Sequence, residues 1–333
     1  MAINTQLTAL LRVCYPILLA AMDLVADARL TLAVSAAGGF GILGGGYGNA
    51  DWLKRELALL VEARRSTPRP FGVGFITWSL AKQPQLLDQT LAAKPDAVWL
   101  AFGDPAPFAD KIKAAGAKLI CQVQTVPMAK DAVTKGADII VAQGTEAAGH
   151  GVSCGSMTLV PAVVDAVGHK VPVVMAGGVG DGRGLAAALM LGAQGVVLGT
   201  RFYASEEAAG DPNAKARIVA ASGEDTLRSV IFDVSRENLW PAPYTGRCLI
   251  NDHARRWMGR EMELMRCMSE ERDAFVTAKQ RGDFDIAPVI AGEVVGLIHD
   301  VAPAKEIVER MMAEAERLVG GAQVEAGKKA AAV

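Results

Sequence analysis

Apolar residues recur along this chain in short continuous runs, and each run is followed by a stretch in which they fall three and four positions apart. Residues 15–21 form the first run. Residues 27–37 follow with helical spacing, Asp27 reading as the cap and Gly38-Gly39 as the stop. Residues 40–43 precede a glycine-rich loop, after which Asp51 opens a helical segment whose Leu53, Leu57, Leu60 and Val61 share one face. The alternation continues through runs at 71–76, 97–101, 118–123, 138–142, 171–176 and 195–198. Helical stretches at 84–93, 107–115, 126–135, 159–167 and 184–191 lie between them. That makes eight strands.

A strand with one wet face alternates apolar and polar residues, whereas these runs are continuous, as a sheet covered on both faces requires. Eight such strands with helical connections predict an α/β fold, a (β/α)8 TIM barrel. A doubly wound open sheet is the alternative, and it usually carries a glycine fingerprint after its first strand. After Tyr203 the strand pattern stops, and Arg, Glu and Met become dense with helical spacing. The pattern resumes in a last helix near 304–318, with Ile307, Val308, Met311, Met312, Ala315 and Leu318 on one side. Residues 1–204 and 283–320 are therefore assigned to the barrel, and 205–282 to a small helical insertion on the substrate side. Residues 321–333, without periodicity, read as a disordered tail.

The balance of 34 basic and 36 acidic residues gives no footprint for nucleic acid or an anionic membrane. Cys14, Cys121, Cys154, Cys248 and Cys267 form no CxxC pair and are odd in number, which points to a reducing cytoplasm rather than a disulfide framework. Pro16 and Asp23 interrupt the one early apolar stretch that could pass for a signal peptide, and no run has the length of a membrane span.

Three glycine-bounded segments follow the last three strands: VAQGTEAAGHG at 141–151, VMAGGVGDGRG at 174–184 and VVLGTRF at 196–202. All three open at the C-terminal end of a parallel sheet, where α/β folds keep their sites. Ala176-Gly177-Gly178 and Gly199-Thr200 offer bare backbone N–H groups of the kind that hold phosphate, although tight connections also need glycine. His150, alone in an arbitrary loop, would signify nothing. Beside the phosphate turns it becomes a candidate base or a partner for developing negative charge.

Together these features point to redox chemistry on a phosphorylated ring cofactor. A barrel that binds a sugar phosphate without redox chemistry is the other reading, but it gives His150 no task. His169, His253 and His299 read as solvated structural residues without metal spacing. Cys154 and Ser156 lie close to His150, but there is no GxSxG elbow and no acidic partner is placed to orient His150 as a base for them. Met22 and Met157 are expected at the rim.

These motifs, with YPILLAAM at 15–22, FGVGF at 71–75 and IAGEVVGLIHDV at 290–301, resemble the nitronate monooxygenase family, formerly the 2-nitropropane dioxygenases. The resemblance implies an FMN-binding TIM barrel. It puts the catalytic histidine at His150 and the FMN phosphate at Gly177, Gly178, Gly199 and Thr200. Ala21, Met22, Gly74, Gln122, Gln143, Gly149 and Ala176 complete the implied cofactor site.

The implied reaction is oxidation of alkyl nitronates, or nitroalkanes, with oxygen to a carbonyl compound and nitrite through one-electron transfer to flavin. Some members carry Lys where this chain has Gln122 and Ser where it has Ala176, and LLAAMD lacks the Gln many place there. The alternative within the same fold is an NAD(P)H-dependent FMN reductase acting on quinones or an enoyl thioester. In that reading Arg255, Arg256 and Arg260 could meet the dinucleotide phosphates. The expected partners are small molecules and, at most, a second copy of the chain.

Overall fold

The eight apolar runs are strands, buried along nearly their whole length, and they close on themselves. In the computed structural model, which describes residues 3–321, they are β1 (Ile17–Leu19), β2 (Gly41–Gly46), β3 (Phe71–Ile76), β4 (Ala97–Ala101), β5 (Lys118–Val123) and β6 (Ile139–Gln143). After a short outlying strand, β7 (Gly149–Gly151), come β8 (Val173–Ala176) and β9 (Val196–Leu198). The parallel order is β1-β9-β8-β6-β5-β4-β3-β2. The seam between β1 and β2 is bridged at Leu18 and Phe40, with Leu19 N donating to Phe40 O at 3.0 Å and Phe40 N donating to Ile17 O at 2.9 Å. The fold is a TIM barrel, as the run pattern predicts.

The bottom of the barrel has a plug that the run pattern does not reveal. Residues Gln6–Leu11 form a helix capped by the Thr5 side chain, and its Leu7 and Leu11 pack inside with Leu18, Phe40, Ile42, Trp99, Ile120 and Val174. With that end filled by apolar side chains, polar chemistry is left to the opposite, C-terminal mouth.

Helix Ala304–Val319 closes the outer wall, burying Ile307, Val308, Met311, Met312 and Ala315, while Leu318 is half-buried. It lies so close to helix Gly182–Met190 that a Cβ on Gly182 would stand 2.5 Å from Met311 O. Residues 284–298 pack between barrel and insertion, where Val289, Ala291, Val294 and Ile298 join Ala204 as well as Ala214, Ile218 and Leu249, and Gly292 N donates to Thr200 Oγ1. The residues after 321, read from sequence as a tail, lie outside the described residues.

The insertion is helical over Pro212–Ala220, Ile231–Ser235, Asp252–Trp257, Glu261–Arg266 and Met268–Arg281. It departs from the all-helical expectation by contributing two strands, β10 (Thr226–Ser229) and β11 (Thr245–Leu249). With β7 they form an antiparallel sheet in the order β10-β11-β7, with Gly246 opposite His150. The pattern hides them because Arg228 and Arg247 sit inside the two short strands, where alternation would call for apolar side chains. No helix among the described residues is long and apolar enough to cross a membrane.

Candidate functional site

The loop that carries His150 leaves the barrel after β6 and is held in place by the insertion. The Arg228 guanidinium donates to the carbonyl oxygens of Thr145 (2.9 Å), Ala147 (3.0 Å), Gly149 (3.2 Å) and Thr245 (2.5 Å). Arg247 Nε adds a second bond to Thr145 O at 3.0 Å. Two arginines therefore satisfy loop carbonyls that would otherwise be buried without donors. Burial, reinforced by neighbouring Arg247, pulls the Arg228 pKa down to about 10.

On β7, His150 is turned toward the helix Ile231–Ser235. Its Nε2 lies 2.9 Å from Asp233 Oδ2, and the other carboxylate oxygen receives Arg236 Nη2 at 2.6 Å. Arg236 Nη2 also donates to the Tyr47 hydroxyl (3.0 Å), which accepts from Trp240 Nε1 as well (2.9 Å). Trp240 returns to stack on the imidazole, and Phe102 and Tyr244 meet its edges. Burial pushes the His150 pKa below the ordinary histidine value, outweighing Asp233, which pulls it up. The imidazole is thus neutral at pH 7, and Nδ1 has no hydrogen-bond partner among the described residues.

At the barrel mouth, Gln122 Nε2 and Gln124 Nε2 both donate to Gln143 Oε1, each at 2.8 Å. Gln124 is an addition to the residues found by sequence, and the bond fixes which face of the Gln143 amide is left to act as donor. Gly74 is required by close approach, since a Cβ there would lie 2.3 Å from the Ala21 Cβ. Met22 is half-buried on the same side, its Sδ 3.9 Å from where a Gly199 Cβ would be.

The two glycine turns lie on neighbouring strands, because β6, β8 and β9 are adjacent in the sheet. Gly177 and Gly178 have φ of 101° and 73°, a region that favours glycine. None of the N–H groups of Gly177, Gly178, Gly199 and Thr200 donates to a protein acceptor among the described residues. Thr200 is buried, with its Oγ1 accepting from Gly292 N at 3.0 Å. Four unspent amides at one rim fit a phosphate. The His150 loop reaches this rim, for a Cβ on Gly177 would stand 3.1 Å from Ala147 N. Gly149, on β7 beside His150, has a φ of 67°, and Ala176 ends β8 opposite Gln143.

Other residues singled out by sequence lie elsewhere. Met157, in the first turn of helix Ser156–Val167, is 68% exposed, unlike the half-buried Met22. Ser156 Oγ donates to Glu146 at 2.8 Å, and Cys154 Sγ lies beside Thr158 Oγ1, so neither addresses His150. His169 and His299 are exposed, whereas His253 is buried against Ser235 Oγ at 2.7 Å rather than solvated. Arg255, Arg256 and Arg260 are paired with Asp252, Glu271 and Glu263. No cluster among the described residues could hold a metal ion.

Sequence reading missed Asp233, Arg236, Tyr47, Phe102, Trp240 and Tyr244. The local signals were an acid and an arginine three apart in DVSR and two aromatics bracketing the prolines of WPAPY.

The sequence matches the family profile described as nitronate monooxygenase over residues 4–89 and 76–314. A nitronate monooxygenase of Neurospora crassa is 35% identical over 91% of this chain and 90% of its own. Among solved structures, FabK from Thermotoga maritima superposes with a TM-score of 0.82 at 31% identity, covering 95% of this chain and 97% of that one. A nitroalkane oxidase of Streptomyces ansochromogenes does so at 0.76 and 27%, covering 93% and 98%. Profile, sequence and barrel agree: the chain belongs to the nitronate monooxygenase family, a family of oxidoreductases.

Proposed function

We propose that this chain is an FMN-dependent nitronate monooxygenase that converts alkyl nitronates and oxygen to a carbonyl compound and nitrite, with His150 as base or anion partner. The observation that carries the reading is a buried, neutral His150 with one ring nitrogen engaged and the other free, on a loop packed against the glycine turns.

Family membership and fold imply a flavin. FMN, with a single phosphate, matches the four unspent amides of Gly177, Gly178, Gly199 and Thr200. Ala21, Met22, Gly74, Gln122, Gln143, Gly149 and Ala176 would then border its ring and ribityl chain. FMN when bound supplies the one-electron acceptor for the nitronate.

The chain's own work is to bind, deprotonate and shelter the substrate. A neutral nitroalkane gives its α-proton to the free nitrogen of His150, and the resulting imidazolium lies beside the anionic nitro oxygens. Phe102, Trp240 and Tyr244 provide an apolar wall for the alkyl group and exclude water. The insertion, which carries two of those three rings, is the substrate-side wall.

The test is anaerobic mixing of the flavin-loaded protein with an alkyl nitronate, followed by air. Bleaching or a shift of the visible flavin bands, then nitrite release, is expected. An unchanged spectrum with no nitrite would sink the reading, and bleaching by NADPH alone would favour the reductase.

A further inference from the structure

We propose that Asp233, anchored by Arg236, is a positioning residue that keeps the His150 proton on Nε2 and so makes Nδ1 the basic atom. The inference rests on the reading of His150 as a base. A carboxylate only accepts hydrogen bonds, so a neutral imidazole whose Nε2 lies 2.9 Å from Asp233 Oδ2 must carry its proton there. The lone pair is then on Nδ1, which is the nitrogen without a protein partner. An aspartate that sets a histidine tautomer in this way is the logic of Ser-His-Asp triads.

Asp233 is itself held on both sides. Its Oδ1 takes Arg236 Nη2, one turn later in the chain, and Arg236 is tied to the Tyr47 hydroxyl in the loop after β2. Barrel and insertion therefore fix the carboxylate jointly. No acid on the His150 loop could replace it, because Glu146 is committed to Ser156 N and Oγ. Of the nearby cations, Arg228 is spent on backbone carbonyls, which leaves Arg236 to balance Asp233.

In the step this arrangement serves, the α-carbon C–H bond breaks and the proton passes to Nδ1. The electron pair forms the C=N bond and the negative charge settles on the nitro oxygens. Nothing is oxidised at that stage.

Asp233→Asn is the informative variant. Arg236 would hold the amide oxygen, the amide NH2 would face Nε2, and the imidazole proton would move to Nδ1. Turnover of neutral nitroalkanes should fall by about 10²–10⁴-fold, the range for losing a competent general base. Turnover of preformed nitronates, which need no base, should fall less than about tenfold on the same reasoning. ¹⁵N-histidine NMR of the flavin-loaded protein reads the tautomer directly, with His150→Asn assigning the signal. The Nε2–H form is expected in the wild type and in Asp233→Glu, and the Nδ1–H form in Asp233→Asn.

A wild-type Nδ1–H signal overturns the proposal, as does an equal loss on both substrates with the tautomer unchanged. Should the wild type turn over neither substrate, the proposed function fails while the nitrogen signals still decide the role of Asp233.

Discussion

The indole of Trp240 lies flat on the imidazole of His150, with ring centroids 3.4 Å apart and planes 5° from parallel. One face of the imidazole is therefore dry, and the indole is kept there by its bond to Tyr47. Since burial is the leading cause of the depressed His150 pKa, removing the cover should reverse it. Trp240→Ala is expected to raise the pKa toward the ordinary value, about 6.5. A base works unprotonated, so the acid limb of the kcat/KM profile with a nitroalkane should move to higher pH. A limb that stays in place, or moves down, would show that the indole is not what keeps the ring dry.

His150→Asn separates proton transfer from flavin binding. None of the unspent amides belongs to His150, so the visible flavin spectrum and bound stoichiometry should match the wild type. Nitroalkane turnover should drop by about 10²–10⁴-fold, the usual contribution of a general base. Nitrite release measured side by side with a nitroalkane and its nitronate checks this. Undiminished nitroalkane turnover would send the proton elsewhere.

What was legible in the sequence, and what was not, follows from how far apart the interacting residues lie. Continuous apolar runs report burial on both faces within a few residues, so β1 to β6, β8 and β9 could be counted without the structure. The glycine turns and His150 could be placed at one rim because each follows its own strand. Asp233 could not be linked to His150, because 83 residues separate them and they meet through the β7–β11 pairing and the Arg228 clamp on the loop. The small antiparallel sheet was hidden for a related reason. Arg228 and Arg247 look like surface residues in sequence, yet they point inward at carbonyls that only the folded loop creates. The Gln6–Leu11 plug is too short for its period to stand out from the loop around it.

Two buried histidines make the fold acid-sensitive. Burial lowers the pKa of His150 and of His253, which bonds to Ser235 Oγ next to Glu271. A folded pKa below the unfolded one means that the unfolded chain binds protons first as pH falls. The stabilisation is present above the unfolded value, about 6.5, and is lost as pH drops through the lower folded values. Tm should therefore be flat from pH 8 to 7 and decline from about pH 6.5 downward. His253→Gln, measured by thermal unfolding across this range, should have a shallower decline, and an equal slope would remove His253 from the account.

Gly177→Ala tests the phosphate turn without touching His150. The residue has φ of 101°, and an added Cβ would lie 3.1 Å from Ala147 N and 3.2 Å from Ala147 Cβ. Backbone strain of this kind costs about 1–3 kcal/mol, and the turn can relieve it only by rotating its amides away from their common focus. If that focus is the FMN phosphate, FMN should dissociate about tenfold or more readily, since 1.4 kcal/mol is a factor of ten. Riboflavin, which has no phosphate, should bind with little change. The comparison is made by fluorescence titration of flavin-stripped protein with each ligand. Equal weakening of both would mean that the substitution disturbs the ring site through the His150 loop, and the phosphate would have to be held somewhere other than Gly177.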